Sequence, residues 1–295
     1  MIRLPLLIAL LVGTAASTAE AADIDWAKVD RIFGKPAAVL PGGVHKWGLP
    51  RTDLKISVDG IVLNPSFALG SWIGLLPAEG GAMLMGDLVL GEAEVGPVMQ
   101  RLIEGGIDIT ALHNHLLRTS PAVFYMHVGG HGDPVKLAET LRAGLSLSHT
   151  PFGVPPTDGL PPPSDLDTAA IESTLGFKGA ANGGVYQFGI PRAESITAAG
   201  MAIPPSLGTA IAINFQPTGG GKAAITGDFV LLGSEVNPVL KSLRDHGIEV
   251  TALHSHMVDD SPHLFFMHFW AVDDAVSLAQ RLRATLDLVN IKRSP

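Results

Sequence analysis

The chain predicts an α+β fold of two tandem repeats, each an antiparallel sheet with helices on one side, related by a pseudo-twofold axis. Three observations carry this. "TALHNHLLRTSPAVFYMH" (Thr110 to His127) recurs as "TALHSHMVDDSPHLFFMH" (Thr251 to His268), an offset of 141 residues from His113 to His254. At the same offset "GGVHKWGLPR" from Gly42 recurs as "GGVYQFGIPR" from Gly183, and "GDLVLGEAEVGPV" from Gly86 recurs as "GDFVLLGSEVNPV" from Gly227. Within each copy, short alternating apolar stretches broken by Gly and Pro give way to a helical period. Each copy is domain-sized, so the chain reads as a tandem pseudo-dimer and not a solenoid of small units.

The elements follow in order. "VHKWGLP", "LKISVDGIVLN", "ALGSWIGLLP" and "AMLMGDLVL" alternate and are bounded by turn residues, which predicts a β-meander. "EVGPVMQRLIEGG" has apolar residues at Val95, Val98, Leu102 and Ile103 and stops on Gly105-Gly106, the pattern of a short helix. "IDITALHNH" and "AVFYMHVGG" read as a strand pair around "LLRTSP". "DPVKLAETLRAGLSL" closes the unit as a helix, with Asp133 as N-cap, Pro134 at the first helical position, and Leu137 and Leu141 one turn apart. The meander is therefore followed by strand, helix, strand, strand, helix.

The boundaries come from composition. Residues 1–21 read as a secretory signal peptide: Arg3 precedes an apolar run from Leu4 to Val12, and small residues lead to Ala19-Glu20-Ala21. The run is too short for a bilayer span, which needs about 20 residues, so a periplasmic or secreted location without a membrane span is expected. "PFGVPPTDGLPPPSD", residues 151–165, reads as an extended proline-rich linker between a first unit at 22–150 and a second at 166–295. The absence of cysteine excludes disulfides and thiolate metal sites. A formal charge of −8 argues against nucleic acid, whose binding is dominated by cations on phosphate. The expected partner is a small molecule or a component of the cell envelope.

The histidines carry the chemistry. His-x-His followed by eleven residues and a third His uses six of the eleven histidines in the chain. On a strand His113 and His115 share a face. If His127 lies opposite either of them, the turn centres on Ser120-Pro121 and all three imidazoles converge. His254, His256 and His268 repeat this around Ser261-Pro262. Three imidazoles on one face are costly without a metal or carboxylate partner, and a divalent metal with bonds of about 2.0 to 2.1 Å suits them, zinc first, copper or nickel otherwise. The alternatives are a buried hydrogen-bonded histidine network and a fully solvated cluster. Two separate points of convergence are expected, one per repeat.

Asp87 with Asp228 and Glu94 with Glu235 are candidates for a fourth ligand or general base, although a carboxylate in the first turn of a helix is favoured by the dipole alone. His45 is Tyr186 in the second copy and so can only make the halves unequal. Asp259, Asp260 and His263 occur only in the second hairpin and read as a solvated loop. Met126 and Met267 point away from the histidine face and read as core. "PTGGGKAAITGD" lacks phosphate-loop spacing and reads as a hairpin turn.

At "TALHNH" and "TALHSH", with "GDLVL" and "GDFVL" before the helix and "SP...FMH" after it, the sequence resembles the LppY/LpqO family of exported bacterial proteins. The resemblance covers essentially the whole mature chain. It implies export and the duplicated fold, and no settled reaction. Some members are lipoproteins; this chain lacks the cysteine for that anchor. Three functions remain open: an envelope metal-binding protein, a metal-dependent hydrolase with an open position for water, and a non-catalytic envelope module with structural histidines.

Overall fold

The computed structural model describes residues 24–153 and 164–293. Residues 1–21, read above as a signal peptide, and most of the segment read as a proline-rich linker lie outside the described residues. The first repeat runs α1 (Trp26–Phe33), β1 (Ala38–Leu40), β2 (Val44–Pro50), β3 (Ser57–Val58), β4 (Ile61–Val62), α2 (Pro65–Ala68), β5 (Gly70–Ala78), β6 (Gly81–Gly91), α3 (Glu92–Glu104), β7 (Asp108–His113), β8 (Val123–Gly132) and α4 (Pro134–Leu145). The second runs α5 (Thr168–Leu175), β9 (Ala180–Asn182), β10 (Val185–Pro191), β11 (Ile196–Ala198), β12 (Met201–Ile203), a 3-10 turn (Pro205–Leu207), β13 (Ala210–Gly219), β14 (Lys222–Leu232), α6 (Gly233–Asp245), β15 (Glu249–His254), β16 (Asp260–Ser261), β17 (Leu264–Asp274) and α7 (Ala275–Leu286).

Two antiparallel sheets of equivalent topology result, β1-β2-β5-β6-β8-β7 and β9-β10-β13-β14-β17-β15. In each, the helix after the fourth strand carries the chain past its neighbour, so β8 lies between β6 and β7 and β17 between β14 and β15. The expected strand, helix, strand, strand, helix order holds in the first half, and in the second with the two-residue β16 added, which pairs with β11 outside the main sheet. Asp133 caps α4 by accepting from Val135 N at 2.8 Å and Lys136 N at 3.2 Å, with Pro134 at the first position.

Some elements differ from expectation. "LKISVDGIVLN" does not join the main sheet: β3 and β4 form a separate hairpin around Asp59-Gly60. Two-turn helices α1 and α5 open the repeats, each between an aspartate N-cap and a left-handed glycine, Gly34 at φ 76° and Gly176 at φ 77°. α2 does not join the helical layer: it packs against β13 and β14 of the other repeat as well as β5.

Alternation along the strands separates two faces. Trp47, Leu49, Ile73, Leu75, Leu88 and Met126 point to α1, α3 and α4 and form the first core; Phe229, Met267 and Phe269 do the same on the second sheet. Met126 and Met267 are fully buried there, as core residues. The opposite faces of the two sheets turn toward each other. Tyr125 and Val89 from one repeat share a buried cluster with Ala224 and Trp270 from the other. Asn64 N donates to Gln216 Oε1 at 2.8 Å, Gln187 Nε2 to Ser66 O at 2.7 Å and Thr251 Oγ1 to His115 O at 2.6 Å, so the repeats are stitched together around this face. Among the described residues no helix is long and apolar enough to cross a membrane.

Candidate metal centre

Strand register places the first aspartate beside the third histidine. β6 pairs with β8 so that Asp87 lies directly opposite His127, and β14 pairs with β17 so that Asp228 lies opposite His268. Directly opposed side chains on one sheet face stand about 5 Å apart at Cβ. Asp87 Oδ1 is 3.9 Å from His127 Nε2 and Asp87 Oδ2 is 3.9 Å from His115 Nε2. In the second repeat Asp228 Oδ1 and Oδ2 lie 3.8 Å from His268 Nε2 and His256 Nε2 respectively. Donors bound to one ion at about 2.1 Å cannot be more than about 4.2 Å apart, and these pairs meet that limit.

The strand pairing itself differs from expectation. His113 lies opposite Tyr125, and His127 opposite Ala111. Neither predicted register occurs, because the connection is the wide loop 114–122 and not a tight turn pivoting on Ser120-Pro121. β7 ends at His113 and β15 at His254, so His115 and His256 sit just past the ladder. His115 nevertheless reaches the same face and stacks on Tyr125 with centroids 3.4 Å apart, as His256 does on Phe266 at 3.4 Å.

The two groups of histidines also meet. The six form one cluster spanning the repeats, within which His115 and His127 still group with Asp87, and His256 and His268 with Asp228. His113 stacks on His254 at 3.5 Å, His115 on His268 at 3.8 Å and His127 on His256 at 3.7 Å, every pair spanning the two repeats. Four donor sets have atoms mutually within 4.8 Å: Asp87, His115, His127; Asp228, His256, His268; His113, His127, His256; and His113, His115, His254, His268. The last two mix the repeats. A sequence shows which residues share a strand face; it does not show that two such faces will be packed against each other.

The electrostatics follow from burial. Removing imidazoles from water disfavours their charged form. It pushes His113 down to about 4 and His254 to about 3. His115, His127, His256 and His268 fall well below the ordinary value, first through burial and then through the neighbouring rings. Burial raises Asp87 to about 8 although Lys46 pulls it down, and burial with the Asp87 charge raises Asp228 well above the carboxylate range. His268 Nδ1 donates to Gly227 O at 2.9 Å, which leaves the Nε2 lone pair facing the cluster.

Glu94 and Glu235 do not belong to the cluster, which corrects their candidacy. Glu94 accepts from Arg51 Nη1 at 2.8 Å and from Gly91 N at 2.8 Å, tying a fully buried guanidinium to the start of α3. Glu235 does the same with Arg192 at 2.7 Å and Leu232 N at 2.7 Å. Burial works to raise Glu94, but the bonds from Arg51, His149 N and Gly91 N outweigh it and hold the carboxyl below its usual range. His45 stacks on Trp26 at 3.5 Å, on the helical side of the sheet. Asp260 is buried, not solvated; it binds His263 Nδ1 at 2.7 Å and Leu264 N at 2.7 Å.

A cleft of about 790 Å³ between the repeats opens onto Asp87, Asp228, His115, His127, His256 and His268. Its walls include Lys46 and Trp72, which sequence reasoning missed: nothing in a single repeat marks which polar strand residue will face the other repeat. A second cleft of about 540 Å³, lined by Met83, Met85, Met201 and Met257, also reaches His127 and His256.

Comparison with known proteins adds an outline. A family model described as Domain of Unknown Function (DUF1259) matches the chain twice, over residues 27–147 and 169–288. No curated protein matches. Among solved structures, the trimeric bacterial microcompartment shell protein PduB is similar at 11% identity over 88% of this chain and 96% of that one, with a TM-score of 0.23. EtuB from Clostridium kluyveri is similar at 9% identity over 86% and 91%, with a TM-score of 0.20. At such scores neither likeness bears on fold or function.

Proposed function

The chain belongs to the Domain of Unknown Function (DUF1259) family, whose description names no reaction, and from the site's own chemistry we propose that it is a divalent-metal protein whose centre is shared by both repeats. One observation carries this reading. Among the described residues, every buried side-chain nitrogen or oxygen without a hydrogen-bond partner belongs to Asp87, Asp228 or the six clustered histidines. An unpartnered buried polar group costs about 1–3 kcal/mol, so nine such atoms aimed at one another are far too costly to be mere packing. Divalent cations that accept the lone pairs of the histidines and aspartates remove most of that cost.

Two donor triplets share no member, Asp87 with His115 and His127, and Asp228 with His256 and His268, and they set the capacity at two ions per chain. His113 and His254 lie between the triplets. Imidazole and carboxylate donors without thiolate suit zinc, with copper or nickel as alternatives. Within the family we assign the chain to the exported LppY/LpqO group and place it in the periplasm or outside the cell.

The cleft favours a second reading, a metal-dependent hydrolase. A divalent ion supplies Lewis acidity and a nucleophile from water at neutral pH, and here the donor residues form the floor of a space large enough for a small substrate. The deciding experiment is elemental analysis of protein purified without a histidine tag, followed by zinc titration of chelator-treated protein. Two equivalents are expected. Protein that carries no metal and takes up none overturns the proposal.

A further inference from the structure

The two repeats supply the same residues to the metal cluster and different residues to the cleft above it. Across the first sheet Gly48, Trp72, Asp87 and His127 are successive strand partners; across the second Gly189, Ala212, Asp228 and His268 are. The donor end of each row is identical, and the next position changes from Trp72 to Ala212. One step along the strands, Lys46 opposite Gly74 is matched by Gln187 opposite Asn214. One wall of the cleft is therefore cationic and aromatic, and the other carries neutral amides.

Lys46 is the informative residue. Its Nζ lies 3.9 Å from the centroid of the Trp72 ring. It donates to Ser206 O at 3.4 Å, the long limit of a hydrogen bond, and among the described residues no carboxylate approaches it within ion-pair distance. An ammonium has three donors, so a largely enclosed lysine in this position has capacity for an acceptor that the protein does not provide. Burial accordingly lowers its pKa, to about 8, against the pull of Asp87.

We propose that the cleft recognises a small organic anion, its carboxylate or phosphate held by Lys46 Nζ beside Trp72, and its polar body facing the Gln187 and Asn214 amides. The anion is thereby presented to the centre on the cleft floor, so the inference names a substrate class and rests on the metal reading for its purpose, though Lys46 itself is independent of the metal. An asymmetric ligand needs an asymmetric cleft, and the pseudo-twofold is broken in this row and kept at the donors.

The test uses the full exported chain, zinc-loaded and chelator-treated, with gluconate and glycerol phosphate as probes and glycerol as the neutral control, followed by calorimetry. Both anions should bind and glycerol should not. Lys46→Gln, which gives the first wall the residue of the second, should weaken both anions by about tenfold or more with zinc content unchanged, and Lys46→Arg should restore most of the affinity. In the unaltered protein, each anion should slow reductive methylation of Lys46 relative to exposed Lys136, a readout that needs no variant. Equal affinity in Lys46→Gln and the parent, binding that depends on zinc but not on Lys46, or unprotected Lys46 each overturns the proposal. Failure of the metal reading shows separately, as absent zinc in a protein whose Lys46 still responds to the anions.

Discussion

The imidazole of His113, from the first repeat, lies on that of His254, from the second, with ring centroids 3.5 Å apart and planes inclined by 27°. Their repeats share no strand, yet the closest contacts among the six histidine rings all run between repeats. Folding of one repeat alone therefore completes neither mixed donor set. Each repeat thus carries one triplet of its own and part of each mixed set.

Shared donors predict coupled metal binding. His115 belongs to the triplet with Asp87 and His127 and also to the set with His113, His254 and His268. His115→Ala should remove one ion and weaken the remaining one by about tenfold or more, the scale found when groups that orient metal ligands are lost. Zinc titration with a chromophoric competitor measures both constants. If the second ion keeps its parental affinity, the two repeats hold independent sites and the shared centre is wrong.

The pH dependence of the metal-free protein follows from opposed shifts. His113 and His254 are depressed from 6.5 to about 4 and about 3, so the folded state holds fewer protons than the unfolded one in that window. Their contribution is present above 6.5 and is lost as pH falls through the folded values. Asp87 is raised from 3.8 to about 8, so its contribution is present below 3.8 and is lost as pH rises through 8. Six histidines outnumber two aspartates on the acid side, and between 6.5 and 8 the aspartates set the slope; Lys46, lowered to about 8, adds the opposite slope only above that value. Thermal melting of the metal-free protein should peak near pH 6.5 and decline toward 8.5; zinc, which stabilises the ionised carboxylates, should abolish the alkaline decline. A flat metal-free profile above 6.5 would contradict the buried carboxylates.

How much of this was legible can be traced residue by residue. The repeat, its strand and helix order and the face shared by His113 and His127 are local or periodic, and periodicity is written in the chain. Asp87 was readable as a candidate from the recurring Gly-Asp pair, but its place opposite His127 depends on β6 pairing with β8 across the α3 crossover, a long-range choice. Glu94 had the same sequence credentials as Asp87; only its contact with Arg51, 43 residues away, assigns it to structure. The single cluster, the cleft and Lys46 depend on packing two sheets face to face, and no pattern within one repeat encodes that.

The Arg51–Glu94 pair supplies a control for the cluster. Arg51 is completely buried and also bonds Val89 O at 2.6 Å, so Glu94→Ala leaves an enclosed charge with Asp53 as its remaining carboxylate. Breaking a buried pair from one side costs about 3–5 kcal/mol, and the retained Asp53 places the loss near the lower end. Urea unfolding should show it, with zinc stoichiometry unchanged in the folded fraction. Loss of zinc from a stably folded Glu94→Ala would return Glu94 to the metal site.

The glycine before the second aspartate offers the most discriminating stability test. A Cβ added to Gly227 would fall 1.9 Å from Ala212 O and 2.9 Å from the Phe269 ring, because β13 and β17 close on β14 from both sides. Its first-repeat counterpart Gly86 is less confined, with Trp72 O at 2.9 Å and Val128 Cγ2 at 3.0 Å, and Gly189 has nothing within 4 Å. Overpacking typically costs about 1–3 kcal/mol and more where backbone must move. Gly227→Ala should therefore exceed that range, Gly86→Ala should fall within it, and Gly189→Ala should be near neutral. Gly227 O also accepts from His268 Nδ1 and Asp228 is the next residue, so displacing this backbone should lower zinc affinity along with stability. Equal urea midpoints for Gly227→Ala and Gly189→Ala would show that the strands around Asp228 are looser than this packing requires.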